Sequence, residues 1–123
     1  MGIKNKKILI IEDELALARV LSLKITSAGY ACEVANDGDS GFKLLSNNVY
    51  SLVLLDLILP GLDGFEILEK CKTLKHKSPI VILSNLNQGD DMKRAKDLGA
   101  TDFFVKSDMQ LSDIINYVKK LLP

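Results

Sequence analysis

Acidic, hydroxyl and ammonium side chains follow directly after several short apolar runs of this sequence. In chain order these residues are Glu12, Asp13, Glu14, Asp56, Ser84 and Lys106. Oxygen ligands without histidine or cysteine suit a hard cation, and a few carboxylates with open positions suit Mg²⁺ better than Ca²⁺. A bound cation, an ammonium and a hydroxyl around one further carboxylate would hold a phosphoryl group while that carboxylate attacks as the nucleophile. If these side chains meet in space, the sequence predicts phosphoryl-transfer chemistry.

Each of these residues also has an ordinary structural explanation. An acidic run between a strand and a helix usually caps the helix and complements its dipole. A lone serine or lysine after a strand is usually a solvated loop residue. Carboxylates held close together repel one another, which costs stability unless a cation is bound or one of them is protonated. The functional interpretation therefore depends on the elements that position the side chains.

Short, continuously apolar runs predict strands that are covered on both faces, as in a parallel sheet. They occupy residues 8–11, 52–55, 80–83 and 103–105, and a weaker candidate at 31–35 carries a charge that favours a place nearer the edge. Segments of helical period lie between and after these runs. They are predicted over residues 14–28, from 38 to about 48, from Asp63 to before Pro79, from about Gln88 to Leu98, and over 111–122.

Several residues mark the ends of the predicted helices. Gly29 and Gly99 follow the first and fourth helices, at the position where only glycine adopts a positive φ at low cost. Asp63 is predicted to cap the third helix through its side-chain oxygen. Ser107 and Gln110 have the spacing of a capping box for the fifth helix.

Strict alternation of strands and helices indicates an α/β fold with right-handed crossovers, in which a doubly wound parallel sheet of five strands is covered by five helices. Ligands of such folds bind outside the carboxyl ends of the strands, where the strand order switches. We therefore expect the acidic, hydroxyl and ammonium groups to project from one edge of the sheet.

Length and composition narrow the possible functions. A chain of 123 residues with 47% hydrophobic residues is predicted to form a single domain over residues 1–123. Its 16 basic and 16 acidic residues balance, and Arg19 and Arg94 are its only arginines, which disfavours direct nucleic-acid binding. The longest stretches without a charged residue have 12 residues, too few to insert into and cross a membrane.

The cysteine and histidine content also excludes several kinds of site. Cys32 and Cys71 cannot form a disulfide framework, and they indicate reduced thiols in a cytoplasmic protein. With His76 as its one histidine, the chain lacks the ligands of a usual zinc site and the parts of a Ser-His-Asp triad.

The motifs around these residues closely resemble the receiver domain of two-component response regulators, a flavodoxin-like, chemotaxis-regulator-like fold with strand order 2-1-3-4-5. The resemblance rests on the apolar run with its acidic residues at 8–14, the Asp-x-x-x-Pro-x-x-Asp-Gly pattern at 56–64, Ser84 and Lys106. It covers essentially the whole chain, in order and with the expected spacings.

The resemblance implies a role for the acidic residues. Asp56 would be the phosphoacceptor and would take a phosphoryl group from a histidine kinase or a histidine phosphotransfer protein. Asp13 would bind Mg²⁺ directly and Glu12 would bind it through water. Asp56 and the backbone carbonyl of Ile58 would complete the protein ligands of the metal.

The resemblance also implies a switch. Lys106 would pair with Asp56 and then with a phosphoryl oxygen, while Ser84 would bind another oxygen and draw its loop inward. Phe103 falls at the switch aromatic of the family, although an ordinary core aromatic would explain it equally well. Rotation of this ring would report phosphorylation to the face formed by the fourth helix, fifth strand and fifth helix. That face would control a downstream protein target or output domain, or a phosphorylation-dependent homodimer.

Three positions depart from the family's pattern. Ser107 stands where proline usually follows the lysine, so we expect a trans peptide and a rearranged loop. Asn85 stands where a small residue usually follows the serine, which would narrow access to the phosphoryl group or offer an extra hydrogen bond. Leu59 replaces the commoner methionine, a change that conserves volume.

Two apolar residues predict a long-lived signal. Ile58 lies two residues after the phosphoacceptor and Leu86 two residues after Ser84, so both would flank the path of an attacking water. Neither side chain can orient a water by hydrogen bonding. The sequence therefore predicts slow self-dephosphorylation. We expect the protein to catalyse only its own phosphoryl uptake and this slow loss, and not to turn over a substrate as an enzyme does.

Three other functions remain as alternatives. A phosphatase of the haloacid-dehalogenase kind would need a second aspartate where Ile58 stands. A receiver-like interaction module that works without phosphorylation remains open because of Asn85 and Ser107. A flavin-binding domain would need Gly, Ser or Thr amides where Glu12, Asp13 and Glu14 follow the first strand. The chain ends with the fifth helix, so it is either a stand-alone receiver or one domain of a longer protein.

Overall fold

The computed structural model describes residues 6–86 and 89–123, and strands alternate with helices throughout this part of the chain. The elements are β1 (Lys7–Ile11), α1 (Leu15–Ser27), β2 (Ala31–Ala35), α2 (Gly38–Asn47), β3 (Leu52–Leu55), α3 (Gly64–Cys71), β4 (Ile80–Ser84), α4 (Gly89–Asp97), β5 (Asp102–Val105), a 3-10 turn (Lys106–Asp108) and α5 (Leu111–Leu121). The predicted α/β class and the number and order of its elements are confirmed.

The strands form one parallel sheet in the order β2-β1-β3-β4-β5, as the resemblance implies. In the register of the sheet, Ile11 lies opposite Leu55 and Ser84 lies opposite Val105. The carboxyl ends of β1 and β3 are therefore level, as are those of β4 and β5, and β4 extends two residues past the end of β3 because Leu55 lies opposite Ile82. The residues that follow them emerge together at one edge.

The sheet separates two apolar cores, and this explains why its strands are apolar on both faces. On one side, Leu9 and Ile11 of β1 pack with residues of α2, α3 and α4, including Ile67 and Ala95. On the other side, Ile8 and Ile10 pack with residues of α1 and α5, including Leu21, Ile25, Ile114 and Val118. Complete burial of one such aliphatic side chain contributes about 1.5–3 kcal/mol, so the cores hold the edge of the sheet in place.

Two helix ends agree with the glycine signals. Gly29 after α1 and Gly99 after α4 have φ angles of 102° and 109°. The predicted start of the fourth helix at Gln88 lies outside the described residues, and the helix as described begins at Gly89.

The prediction of a Ser107–Gln110 capping box for the fifth helix is wrong. Residues 106–108 form a 3-10 turn of their own, so Ser107 lies before the helix and not at its cap. Gln110 is the N-cap residue, with extended φ and ψ of −104° and 158°. Its backbone N–H donates to an Asp113 carboxylate oxygen at 2.8 Å. Among the described helices, none has the length and apolar character needed to cross a membrane.

Candidate functional site

The end of β1 places a buried carboxylate at the edge of the sheet. The Glu12 side chain is 2% exposed, whereas that of Asp13 is exposed. One carboxylate oxygen of Glu12 accepts a hydrogen bond from the backbone N–H of Glu14 at 3.0 Å. The Asn36 amide, which follows β2, donates to the Glu12 carbonyl at 2.9 Å. The segment after β1 is therefore held both by its own side chain and by the neighbouring strand.

The end of β3 places Asp56 beside it. This side chain is 5% exposed, and its Oδ1 accepts a hydrogen bond from the backbone N–H of Ile58 at 3.2 Å. Helix α3 begins close to this segment, because the Gly64 N–H donates to the Leu57 carbonyl at 2.9 Å. A Cβ at Gly64 would lie only 2.5 Å from the Asp56 carbonyl oxygen. Asp63 caps the helix, as predicted, by accepting from the Glu66 N–H at 2.9 Å.

Lys106, directly after β5, joins these carboxylates. Its Nζ lies 2.9 Å from Asp56 Oδ2, 2.8 Å from Glu12 Oε1 and 3.7 Å from Glu14 Oε1. Burial by itself lowers the pKa of the Lys106 ammonium, but hydrogen bonds to Asp56 and Glu12 outweigh this and raise the pKa above its ordinary value. Burial raises the pKa of Glu12, and the hydrogen bond from Lys106 only partly opposes that change. The ammonium is therefore held in its charged form.

The carboxylates form a group that could hold a metal ion. One oxygen from each of Glu12, Asp13 and Asp56 lies within 4.8 Å of the others. All of the donors are hard oxygen atoms, and the exposed Asp13 leaves one side of the group open to water. These features fit Mg²⁺, which keeps several waters and binds proteins through one or two carboxylates.

Ser84 reaches the same edge as the last residue of β4. It is completely buried, and its Oγ accepts a hydrogen bond from the backbone N–H of Leu86 at 3.3 Å. Because Ser84 lies opposite Val105, Ser84 and Lys106 stand at the carboxyl ends of adjacent strands. This edge of the sheet thus carries a carboxylate, an ammonium and a hydroxyl next to a candidate metal site, which are the groups that the sequence analysis expects around a phosphoryl group.

Three further predicted residues lie around this edge. Phe103 is 8% exposed and belongs to the core on the side of α2, α3 and α4. Leu86 packs against that same core, whereas the Ile58 side chain is 55% exposed. Ile58 and Leu86 therefore differ in burial.

Two contacts were not predicted from the sequence, namely the approach of Glu14 to Lys106 and the support of Glu12 by Asn36. An extra hydrogen bond of Asn85 was one of the two expectations for that residue, but its partner was not predicted: the Ser107 N–H donates to the Asn85 Oδ1 at 2.9 Å. The register of β4 and β5 brings Asn85 and Ser107 near each other, since Asn85 directly follows Ser84 and Ser107 comes two residues after the paired Val105. The described peptide bonds include no cis bond, so the expected trans peptide between Lys106 and Ser107 is confirmed.

Sequence comparison places similar proteins among bacterial regulators. The response regulator receiver domain family matches residues 8–119. The uncharacterized transcriptional regulatory protein YkoG of Bacillus subtilis is 37% identical over 99 residues, which cover 80% of this chain and 43% of YkoG. The transcriptional regulatory protein HprR of Escherichia coli is 37% identical over 100 residues, which cover 81% of this chain and 44% of HprR. The chain thus matches somewhat less than half the length of these relatives.

Solved structures show the same architecture. The Francisella response regulator 1452 receiver domain superposes with a TM-score of 0.87 at 26% identity, covering 96% of this chain and 97% of that one. A CheY-like response regulator receiver domain protein from Methanospirillum hungatei gives a TM-score of 0.88 at 24% identity, with 96% and 94% coverage, and shows the likeness of fold alone.

Proposed function

This chain belongs to the response regulator receiver domain family, and we propose that its Asp56 accepts a phosphoryl group from a phosphohistidine of a histidine kinase or phosphotransfer protein. The single observation that carries the proposal is the position of Lys106 Nζ, 2.9 Å from Asp56 Oδ2 and 2.8 Å from Glu12 Oε1. In the reaction an Asp56 oxygen forms a bond to phosphorus as the bond from phosphorus to the imidazole nitrogen breaks. The imidazole leaves with the electron pair of that bond.

The residues at the edge divide the work of this transfer. Glu12, Asp13, Asp56 and the Ile58 carbonyl would hold Mg²⁺, with Glu12 acting through water. When bound, the metal supplies positive charge against the phosphoryl oxygens. Lys106 exchanges part of its contact with Asp56 for a contact with a phosphoryl oxygen. It can bind that oxygen because its raised pKa keeps the ammonium charged. Ser84 turns its hydroxyl from the Leu86 N–H toward another oxygen.

The signal would leave the site through β4 and β5. Movement of Ser84 shifts the loop that carries Leu86, and Leu86 packs on the core that contains Phe103. Reorientation of Phe103 would then change the face formed by α4, β5 and α5. We propose that this face binds a downstream protein target or output domain, or a second phosphorylated copy of the chain.

The family is a signalling family, and we propose that residues 1–123 form one such domain rather than a distinct enzyme. The apolar Ile58 and Leu86 support slow self-dephosphorylation, because neither offers a hydrogen bond to an attacking water. Ile58 stands where a haloacid-dehalogenase-type phosphatase needs a second aspartate as its general acid and base. Cys32 and Cys71 are both free and half-buried, which supports the predicted cytoplasmic location.

A receiver-like module that acts without phosphorylation is the second candidate. The bond between Asn85 and Ser107 favours it, because this bond would restrain the loop movement that follows phosphorylation, whatever its effect on phosphoryl uptake. Binding of beryllofluoride, a mimic of the phosphoryl group, distinguishes the two functions. We expect saturable binding in ¹⁹F NMR spectra that requires Mg²⁺ and is lost in Asp56→Ala. A phosphorylation-independent module would show no such binding in the unaltered protein.

A further inference from the structure

The loops after β4 and β5 are joined by one hydrogen bond from a side chain to the backbone. Asn85 Oδ1 accepts from the backbone N–H of Ser107 at 2.9 Å, across 22 residues of sequence. The Ser107 side chain takes no part in this bond. The two residues that depart from the family pattern on either side of the site are thus in direct contact.

We propose that Asn85 is a positioning residue, whose carboxamide fixes the backbone after Lys106 and so holds the Lys106 ammonium against Asp56 and Glu12. We call this bond between Asn85 and Ser107 the loop clamp. The inference rests on the proposed function for its effect on phosphorylation. The contact itself does not depend on that function.

The need for a clamp comes from where the sheet ends. Ladder pairing of β4 with β5 stops at Ser84 and Val105, one residue before Lys106. Lys106 then opens a 3-10 turn whose internal bond, from the Met109 N–H to the Lys106 carbonyl, is long at 3.5 Å. The first N–H groups of such a turn have no partner within it. Asn85 provides an acceptor for the Ser107 N–H at this point.

The clamp also links the two residues that would contact phosphoryl oxygens. Ser84 lies opposite the residue before Lys106, and Asn85 binds the residue after it. The Lys106 ammonium lies at the end of a flexible four-carbon stem, so fixing the backbone on both sides reduces the range of positions that it can reach. Two consecutive residues of one segment, Ser84 and Asn85, therefore hold the backbone of Lys106 on both sides.

The pair is chemically matched. A proline at position 107 would have no backbone N–H to donate, so the Asn85 contact is possible only because another residue stands there. The contact does not require the Ser107 hydroxyl, because it uses only the backbone N–H of this residue. The chain therefore replaces the rigidity of a proline ring with a hydrogen bond between loops.

The test is a double-mutant cycle that separates the N–H of residue 107 from its side chain. Ser107→Ala keeps the N–H and Ser107→Pro removes it, and Asn85→Ala is made in each background and in the unaltered protein. Hydrogen exchange of the Ser107 amide and of the Lys106 ammonium, followed by NMR, reports the clamp without any phosphorylation. The maximal rate of phosphorylation by acetyl phosphate with Mg²⁺ reports its consequence.

We expect Asn85→Ala to speed Ser107 amide exchange and Lys106 ammonium exchange, and to lower the maximal phosphorylation rate about fivefold, as loss of one ordinary hydrogen bond does. Asn85→Ala should cause the same losses in the Ser107→Ala background, where the amide of residue 107 is again the one measured. In Ser107→Pro, Asn85→Ala should change neither the rate nor the ammonium exchange. Unchanged exchange in Asn85→Ala, or an equal loss in the proline background, would overturn the clamp. If the unaltered protein takes no phosphoryl group, the proposed function fails, while the exchange rates still decide the clamp.

Discussion

Lys106 is the counter-charge on which the acidic residues of the site depend. Its ammonium contacts Glu12 and Asp56, which are 2% and 5% exposed, and approaches Glu14. Removing one partner of a buried ion pair leaves the other charges without compensation. The Lys106 ammonium therefore repels a divalent cation that binds at the same carboxylates. If the lysine were removed, the cation would supply the positive charge that these carboxylates need.

We expect Lys106→Met to raise Mg²⁺ affinity about tenfold, since the cation then enters a site without a neighbouring positive charge. The same variant should lose phosphorylation because no ammonium remains to meet the phosphoryl oxygen. Calorimetric titration with MgCl₂ measures the first effect. Lys93→Met is the control, because Lys93 is 78% exposed and pairs with Asp97 on α4. Equal Mg²⁺ affinities in all three proteins would contradict this role of Lys106.

The lifetime of the phosphorylated state is predicted to depend on Ile58 and Leu86. Ile58→Asn combined with Leu86→Glu introduces groups that can orient water, and we expect phosphoryl loss to speed up at least about tenfold, the effect of ~1.4 kcal/mol. Decay of phosphorylated protein after removal of the donor measures this rate. Ile58→Ala with Leu86→Ala is the control that removes bulk without adding hydrogen bonds. A rate no faster than in that control would show that water orientation is not limiting.

Away from the site, the contact between Tyr50 and Glu33 makes a pH-dependent contribution to the stability of the fold. The Tyr50 hydroxyl donates to a Glu33 carboxylate oxygen, and Lys7 Nζ lies 3.1 Å from the other oxygen. The hydrogen bond from Tyr50, and then that from Lys7, lowers the pKa of Glu33 below its ordinary 4.5. A carboxyl whose pKa is lower in the folded state stabilises the protein at pH values above its unfolded-state pKa. This stabilisation is lost as the pH falls through the folded-state pKa.

We therefore expect Tyr50→Phe to cost about 1 kcal/mol of unfolding free energy at pH 7, a modest value because Glu33 is partly in water. The cost should shrink as pH falls below about 4. Urea unfolding at several pH values measures it. Tyr30→Phe is the control, since the Tyr30 hydroxyl donates at 2.6 Å to the Leu122 carbonyl, which does not titrate. A Tyr50→Phe cost as independent of pH as that of Tyr30→Phe would refute the linkage.

At the residue scale, the sequence was informative wherever a polar group directly follows a strand. Glu12, Asp56 and Lys106 meet, with Ser84 at the same edge, because parallel strands bring their carboxyl ends to one edge of the sheet. The supporting contacts of Asn36 and Asn85 span 24 and 22 residues, and they depend on loop paths that no local pattern encodes.

At the scale of elements, the close approach of α3 to β3 controls the position of Asp56. A Cβ at Gly64 would lie 2.5 Å from the Asp56 carbonyl oxygen and 2.6 Å from the Leu57 Cα. Both are backbone atoms, which cannot move aside as the end of a flexible side chain can. The helix therefore reaches its place only because residue 64 lacks a side chain.

We expect Gly64→Ala to destabilise the protein by about 1–3 kcal/mol through overpacking, and to slow phosphorylation by displacing Asp56. Chemical unfolding and the acetyl phosphate rate measure the two effects. Gly89→Ala, at the first residue of α4, is the matched control, because a Cβ there meets no described atom within 4 Å. It should be neutral or slightly stabilising. If the two alanine variants were equally stable, the tight approach of α3 would not be what positions Asp56.

The elements themselves were predictable to different degrees. Strands β1, β3 and β4 are apolar on both faces and bounded by polar residues, so their periodicity identified them within a residue or two. The fifth helix begins at Leu111, as predicted, but its predicted capping box was wrong because serine and glutamine three residues apart imitate a cap. The 3-10 turn at residues 106–108 forms there instead, and the N-cap moves to Gln110.

At the scale of the whole molecule, two apolar cores hold a sheet whose carboxyl edge carries the charged residues. Alternating periodicity predicts the α/β class, but it cannot tell which strands are neighbours. The order β2-β1-β3-β4-β5 came from the resemblance to receiver domains. Ordered in this way, β1, β3, β4 and β5 lie side by side, and their trailing residues form one site. The proposed phosphoryl transfer to Asp56 depends on this convergence.

Intact mass after incubation with a small phosphoryl donor tests the central claim most directly. Acetyl phosphate and phosphoramidate are used, each with Mg²⁺ and with a chelator, on the unaltered protein and on Asp56→Ala. We predict a gain of one phosphoryl group that requires Mg²⁺, decays slowly and is absent from the variant. A gain that persists in Asp56→Ala, or no gain from either donor in the unaltered protein, would contradict the assignment of Asp56 as the phosphoacceptor.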